Sequence, residues 1–181
     1  MSPDGTSEPL LDALMGAIAG GMAQATAQRG WQPHKTWVYI IGTVEWQDPE
    51  IFASFPQEQR RDAMLVDFFR DQGVPAAQII YLQDSQATNQ QIEKTFEPHL
   101  RKAAAGDFLF MYYCGHGYKA DHTAYFASYD ADDTTPGWPM RAVPAAIDRS
   151  FQGAYAFLAA DCCCSGSLAQ AVEQSLSLIH I

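Results

Sequence analysis

The chain has 181 residues, of which 48% are hydrophobic and 18% charged, and its formal net charge is −10. That is enough for one globular domain with a sizeable core. An acidic chain without basic runs is a poor partner for nucleic acid or an anionic membrane, and no stretch has the length of a membrane span. The four cysteines stand at 114, 162, 163 and 164. Adjacent cysteines do not build an ordinary disulfide framework, so a reducing, cytoplasmic setting is expected.

Residues 1–9 are polar, with Pro and Gly, and read as disordered. Leu10, Leu11, Leu14, Met15, Ile18 and Met22 recur at helical spacing, while Gly16, Gly20 and Gly21 weaken that helix. Asp12 lies inside this segment and no basic residue precedes it, which argues against a secretory leader. Residues 1–30 are therefore set apart from a domain over 31–175.

Residues 36–43 read as the first strand, followed by a loop over 44–55. Ser54 and Gln57 fit a capping box with Pro56 in the first turn. They predict a helix to about Gln72, with Met64, Leu65, Phe68 and Phe69 on one face and Gly73 and Pro75 as its stop. Residues 78–82 are the second strand. Thr88 with Gln91 opens a helix through Ile92, Phe96, Leu100 and Ala103, which Pro98 should kink or split. Gly106 ends it. The third strand, 107–114, runs into Gly115-His116-Gly117. A short strand over 124–129, an acidic loop over 130–140 and a short helix over 143–151 follow. Residues 154–160 are apolar, hold two aromatics and lack helical periodicity, so they read as a buried parallel strand. This alternation implies an α/β fold with a mostly parallel sheet and helices on both faces. Residues 161–166 then form a strand-end turn, where open α/β sheets present reactive side chains.

Two strand ends thus offer a thiol and an imidazole. Tyr112-Tyr113-Cys114-Gly115-His116-Gly117 resembles the histidine motif of caspase-like cysteine peptidases. Asp161-Cys162-Cys163-Cys164-Ser165-Gly166 resembles the Asp-x-Cys-x-Ser-Gly motif of the metacaspase branch. His116 and Cys163 are 47 residues apart, against about 50 in caspases. The Gln-Ala-Cys-x-Gly signature of animal caspases is absent, and Asp161 stands where its Gln would be. The resemblance spans about 37–168. It implies a caspase-like three-layer sandwich with sheet order 2-1-3-4 and two further strands after the fourth. It also implies a cysteine endopeptidase acting on a protein or peptide substrate, with the oligomeric state left open. Residues 167–181 have no room for those two strands. Leu176-Ser177-Leu178-Ile179-His180-Ile181 moreover resembles a translated sequencing-library adapter. The expectation is a C-terminally truncated fragment with a non-native tail over 176–181; a genuine short C-terminus is the alternative.

A cysteine attacks as thiolate, and at a free pKa of about 8.5 only about 3% is ionised at pH 7. A neighbouring imidazolium supplies the missing stabilisation and can later protonate the leaving amine. If residues 161–163 stay extended, Asp161 and Cys163 share a face towards the cleft, while Cys162 and Cys164 point inward. Cys163 is then the candidate nucleophile. Cys162, or three merely buried thiols, are the alternatives. His116, between two glycines, is expected to be exposed. By resemblance the N–H groups of Gly117 and Cys163 form the oxyanion hole. Cys114 reads as core. Asp161 would pair with an Arg or Lys of the substrate; a role as a turn cap is the bland alternative. Cleavage after Asp would need arginines in that pocket, and 44–56 holds no Arg or Lys but carries Glu45, Asp48 and Glu50. The resemblance implies calcium activation through aspartates, and the clustered Asp130, Asp132 and Asp133 suit a hard cation, but no calcium-loop spacing is present and a solvated loop is favoured. No other metal or cofactor is implied. A caspase-like scaffold that binds peptides without cutting them, and a thiol metal or redox site, are the competing functions; the latter lacks a Cys-x-x-Cys spacing.

Overall fold

The computed structural model describes residues 31–175, so the helix expected over 10–25 and the tail over 176–181 lie outside the described residues. In chain order the elements are β1 (Thr36–Gly42), α1 (Asp62–Asp71), β2 (Ile79–Gln83), α2 (Asn89–Leu100), β3 (Phe108–Cys114), β4 (Gly117–Ala120), β5 (Thr123–Phe126), β6 (Trp138–Pro139), α3 (Ala142–Ser150), β7 (Tyr155–Asp161) and α4 (Gly166–Ser175). Short 3-10 turns precede β1, α1 and β2 and follow β2.

β1 and β3 are apolar almost without interruption because both of their faces are covered. All seven residues of β3 are buried. Side chains alternate across the sheet. Val38, Ile40, Phe110 and Tyr112 meet Leu65, Val66 and Phe69 of α1 on one face. Tyr39, Ile41, Leu109, Met111 and Tyr113 meet Ile92 and Phe96 of α2, Val143 and Ile147 of α3 and Leu168 of α4 on the other. The result is three layers around a four-stranded parallel sheet in the order β2-β1-β3-β7. This is the order expected for the first four parallel strands. The register sets Gly42 opposite Cys114, and Cys114 opposite Asp161. The carboxyl ends of β1, β3 and β7 are therefore level, which brings their following turns to one place.

A second, antiparallel sheet, β4-β5-β6, grows from the end of β3. Its hairpin turns through Asp121 and His122, both left-handed at φ 45° and 64°, as a two-residue hairpin loop demands. Sequence alone predicted only β5 here. Four residues after a Gly-His-Gly carry too weak a pattern to declare β4, and its pairing with β5 makes it a strand.

Two helix expectations are corrected. α1 starts at Asp62, and no side chain caps the 3-10 turn Gln57–Gln59 where the capping box was expected. Arg60 stays extended at φ −70° and ψ 107°, because its guanidinium turns inward to Asp62 and Asp84. The buried face of α1 is accordingly Asp62, Leu65, Val66 and Phe69, while Met64 is exposed. Pro98 does not split α2, which runs unbroken through it. It sits in the last turn, where the hydrogen bond it forgoes is one of the final ones, and the helix ends at Leu100 rather than Ala103. The Thr88 cap forms as expected, its Oγ1 accepting from the Gln91 N–H at 3.2 Å. No described helix is long and apolar enough to cross a membrane.

His99, on the inner face of α2, packs edge-on against Trp37 at 5.1 Å and tilted against Tyr39 at 6.0 Å. Burial, with Lys102 nearby, pushes its pKa from 6.5 down to about 4. The unfolded chain then binds the extra proton between those values, so stability rises with pH through that window. Acidification from pH 7 towards pH 4 should cost roughly 2–3 kcal/mol from this residue alone. Thermal melts over that range should show the decline, and His99→Leu should flatten it.

Candidate active site

The site begins with the loop after β1. Trp46 donates its indole N–H to the Ala127 carbonyl at 3.1 Å, and the Phe55 N–H bonds the Val44 carbonyl at 2.8 Å. These bonds close the loop on itself and on the antiparallel sheet. The His116 ring lies among three loop aromatics, with centroid distances of 4.6 Å to Trp46, 5.6 Å to Phe52 and 4.3 Å to Phe55. His116 is thus half-buried, not exposed as its flanking glycines suggest. Its packing comes from a segment more than 60 residues earlier, which local sequence does not reveal. His116 Nε2 lies 2.8 Å from the Ala53 carbonyl oxygen. A carbonyl only accepts, so this contact assigns the proton to Nε2 and leaves Nδ1 as the free base of the neutral ring. The backbone of His116 is held as well, because the buried Tyr113 hydroxyl donates to its carbonyl at 2.7 Å.

The end of β7 supplies the thiols. His116 and Cys163 line one cavity of about 370 Å3, together with Asp161, Arg61, Val44 and Phe55. Cys163 is exposed and Cys162 half-buried, although the chain already bends at Cys162 and turns at Cys163. Cys164 is exposed rather than turned inward. Its φ of 63° breaks the alternation that would have buried it. Burial pushes the Cys162 thiol up to about 12, helped by Cys163 and Asp161 alongside. Burial likewise pushes Cys114 up to about 12, with Asp62 and Asp161 adding to it. Both inner thiols therefore stay protonated at neutral pH and are poor nucleophiles.

Gly117 has a packing role that sequence reading missed. A Cβ there would lie 2.0 Å from the Cys163 carbonyl oxygen and 3.0 Å from Cys162 Sγ. Only glycine lets the cysteine turn rest directly on the start of β4, and this puts the two expected oxyanion-hole residues side by side.

Asp161 carries an unexpected partner. Its Oδ2 accepts from Arg61 Nη1 at 3.1 Å. Asp161, expected to take an Arg or Lys of the substrate, is thus already paired within the chain. The loop over 44–56 indeed lacks a base, but Arg61 reaches the cavity from just before α1, in a stretch that reads from sequence as the inside of a helix. Its neighbour Arg60 faces the other way. Arg60 Nη1 donates to Asp62 at 2.8 Å and Nη2 to Asp84 at 2.5 Å, while Tyr81 donates its hydroxyl to Asp62 at 2.6 Å. Although burial works against its charge, the hydrogen bonds Arg60 donates to Asp84 and Tyr81 and the charges of Asp62 and Asp84 hold it firmly cationic. Asp84 also accepts from the Val44 N–H at 3.0 Å, which pins the start of the aromatic loop. Gly42 is required here, since a Cβ would fall 1.7 Å from Asp62 Oδ2.

The acidic loop is engaged by backbone. Asp130 Oδ1 accepts from the Asn89 N–H at 2.8 Å at the start of α2, and Asp132 Oδ1 accepts from the N–H groups of Thr134 and Thr135 at 2.7 and 2.6 Å. Among the described residues no cluster of three or more His, Cys, Asp or Glu side chains is placed to hold a metal ion. Compared with known proteins, the chain matches no family model and no curated protein.

Two outcomes follow from this geometry. Brief alkylation at pH 7 should modify Cys163 and Cys164, leaving Cys162 and Cys114 for labelling only after unfolding; peptide mass spectrometry reads the difference. Arg60→Ala should strand Asp62 as a buried, uncompensated carboxylate and cost about 3–5 kcal/mol, measured by urea denaturation.

Proposed function

We propose that the chain carries the dyad-bearing part of a caspase-like cysteine endopeptidase of the metacaspase type, cutting after Arg or Lys. What carries this reading is one observation: His116 and Cys163 line the same cavity, delivered by the level ends of two adjacent parallel strands.

The chemistry follows from the roles these groups would take. Ala53 holds Nε2–H, so Nδ1 receives the Cys163 thiol proton. The thiolate adds to the scissile carbonyl carbon, and the carbonyl electron pair moves to oxygen. The N–H groups of Gly117 and Cys163 would meet that oxyanion, where a fixed donor is worth about 3–4 kcal/mol. As the tetrahedral centre collapses, the imidazolium returns its proton to the departing amine and a thioester to Cys163 remains. A water then gives one proton to Nδ1 and adds its hydroxide to the acyl carbon; the C–S bond breaks and Nδ1 returns the proton to the sulfur, which frees the acid and the thiol. The aromatic faces around His116 keep the ring in one plane through both proton transfers. Asp161 would receive the basic side chain of the residue before the cut.

The Arg61 guanidinium in the cavity favours a second reading, cleavage after an acidic residue, since that specificity needs a cation in the pocket. The loop over 44–56, which carries Glu45, Asp48 and Glu50 and no Arg or Lys, weighs against it.

A set of fluorogenic peptides differing only at the residue before the scissile bond decides between the two, run with and without calcium. Arg and Lys should be cut roughly 10- to 100-fold faster than neutral residues. Cys163→Ala should abolish turnover, whereas Cys162→Ala and Cys164→Ala should retain most of it. Full activity in Cys163→Ala would end the dyad assignment, and faster cutting after Asp would end the basic specificity.

A further inference from the structure

Arg61 lines the cavity but has no role in the dyad chemistry. Its position follows from its neighbour. The Arg60 side chain is only 9% exposed, tied between Asp62 and Asp84. With Arg60 turned inward, Arg61 becomes the N-cap of α1 and faces outward to the cavity. There the single described hydrogen bond of its side chain runs to Asp161, across 100 residues of sequence.

Three features define what this pair is for. First, a cation at a helix N-terminus sits at the positive end of the helix dipole, so α1 itself does nothing to hold it. Asp161 is what keeps the guanidinium in the cavity. Second, the contact is one N–H to one oxygen, with the Arg61 side chain 23% and the Asp161 side chain 53% exposed. Exposed single-contact pairs are weak and exchange readily. Third, an incoming carboxylate bound to Arg61 would be set beside Asp161, in a chain of net charge −10. An incoming cation meets the opposite field.

We propose that Arg61 is a resident counter-ion of the substrate subsite: its guanidinium occupies the place at Asp161 that an Arg or Lys side chain of a substrate takes. Binding is then an exchange of cations. Arg61 swings to solvent, and the ligand's cation replaces it. Arg61 thereby acts as a specificity-determining residue that tempers the preference for basic ligands. The inference rests on the peptidase reading for the peptide nature of the ligand, but its test measures binding and not hydrolysis.

The probes are two acetylated tetrapeptide amides, identical except for Arg or Asp at the last position. Each is titrated calorimetrically into the 181-residue chain and into Arg61→Gln, with circular dichroism confirming the fold. Arg61→Gln should bind the Arg peptide about 2- to 5-fold tighter than the unaltered chain. Arg61→Met, which keeps the apolar stem, should do the same and serves if the Gln variant misfolds. Adding Asp161→Asn to either variant should erase the gain. Higher salt should narrow the difference between the unaltered chain and the variants, since it weakens the pair being broken. The proposal is overturned if Arg61→Gln loses affinity for the Asp peptide while leaving the Arg peptide unchanged, for Arg61 would then be an anion receptor. It is also overturned if neither affinity moves, or if neither peptide binds any form of the chain. Binding in the expected pattern without any hydrolysis would keep this inference and sink the peptidase reading alone.

Discussion

Arg60, buried between Asp62 and Asp84, is the interaction on which the geometry of the cavity depends. It gathers the end of β1 through the Gly42 carbonyl, the end of β2 through Tyr81 and Asp84, and the first turn of α1 through Asp62. Asp84 passes the constraint to Val44, where the aromatic loop begins. That loop in turn holds the His116 ring and its Nε2 proton. A buried pair of this kind is costly to desolvate and adds little net stability over an apolar replacement. Its value here is positional. A guanidinium with several donors in a fixed plane can join three elements at once, which no apolar side chain does with comparable directionality.

The same network accounts for the opposite orientations of two adjacent arginines. Arg60 is taken inward by two carboxylates, so the chain cannot enter a helix before Asp62. Arg61 is left at the mouth of the cavity, where Asp161 is the partner within reach. The electrostatics of the cavity are thus coupled to the packing of α1 against the sheet. Anything that loosens Arg60 releases both the loop that orients His116 and the residue that faces Asp161.

The four thiols are divided by environment. Cys114 and Cys162 lie beneath the surface, and burial keeps them protonated. Cys163 and Cys164 stand outside, Cys164 in a left-handed conformation. The turn can lie this close to β4 because Gly117 has no side chain to obstruct it. Three consecutive cysteines thereby become chemically distinct through backbone conformation and depth.

Much of the framework was legible in the linear chain, because the signals concerned are local. Apolar runs at 36–42 and 108–114 mark strands covered on both faces, Thr88 with Gln91 marks the start of α2, and the strand-end positions of His116 and Cys163 follow from where those runs stop. What tertiary structure alone decided is who meets whom across long separations. The aromatic enclosure of His116, the Arg61–Asp161 pair, the burial of Asp62 and the outward turn of Cys164 all arise there. Side-chain periodicity depends on a residue's immediate neighbours and can be read along the chain. The partner of a charge or the cover of a ring depends on which strand ends lie side by side, and that is set only once the sheet register places Gly42, Cys114 and Asp161 in one row.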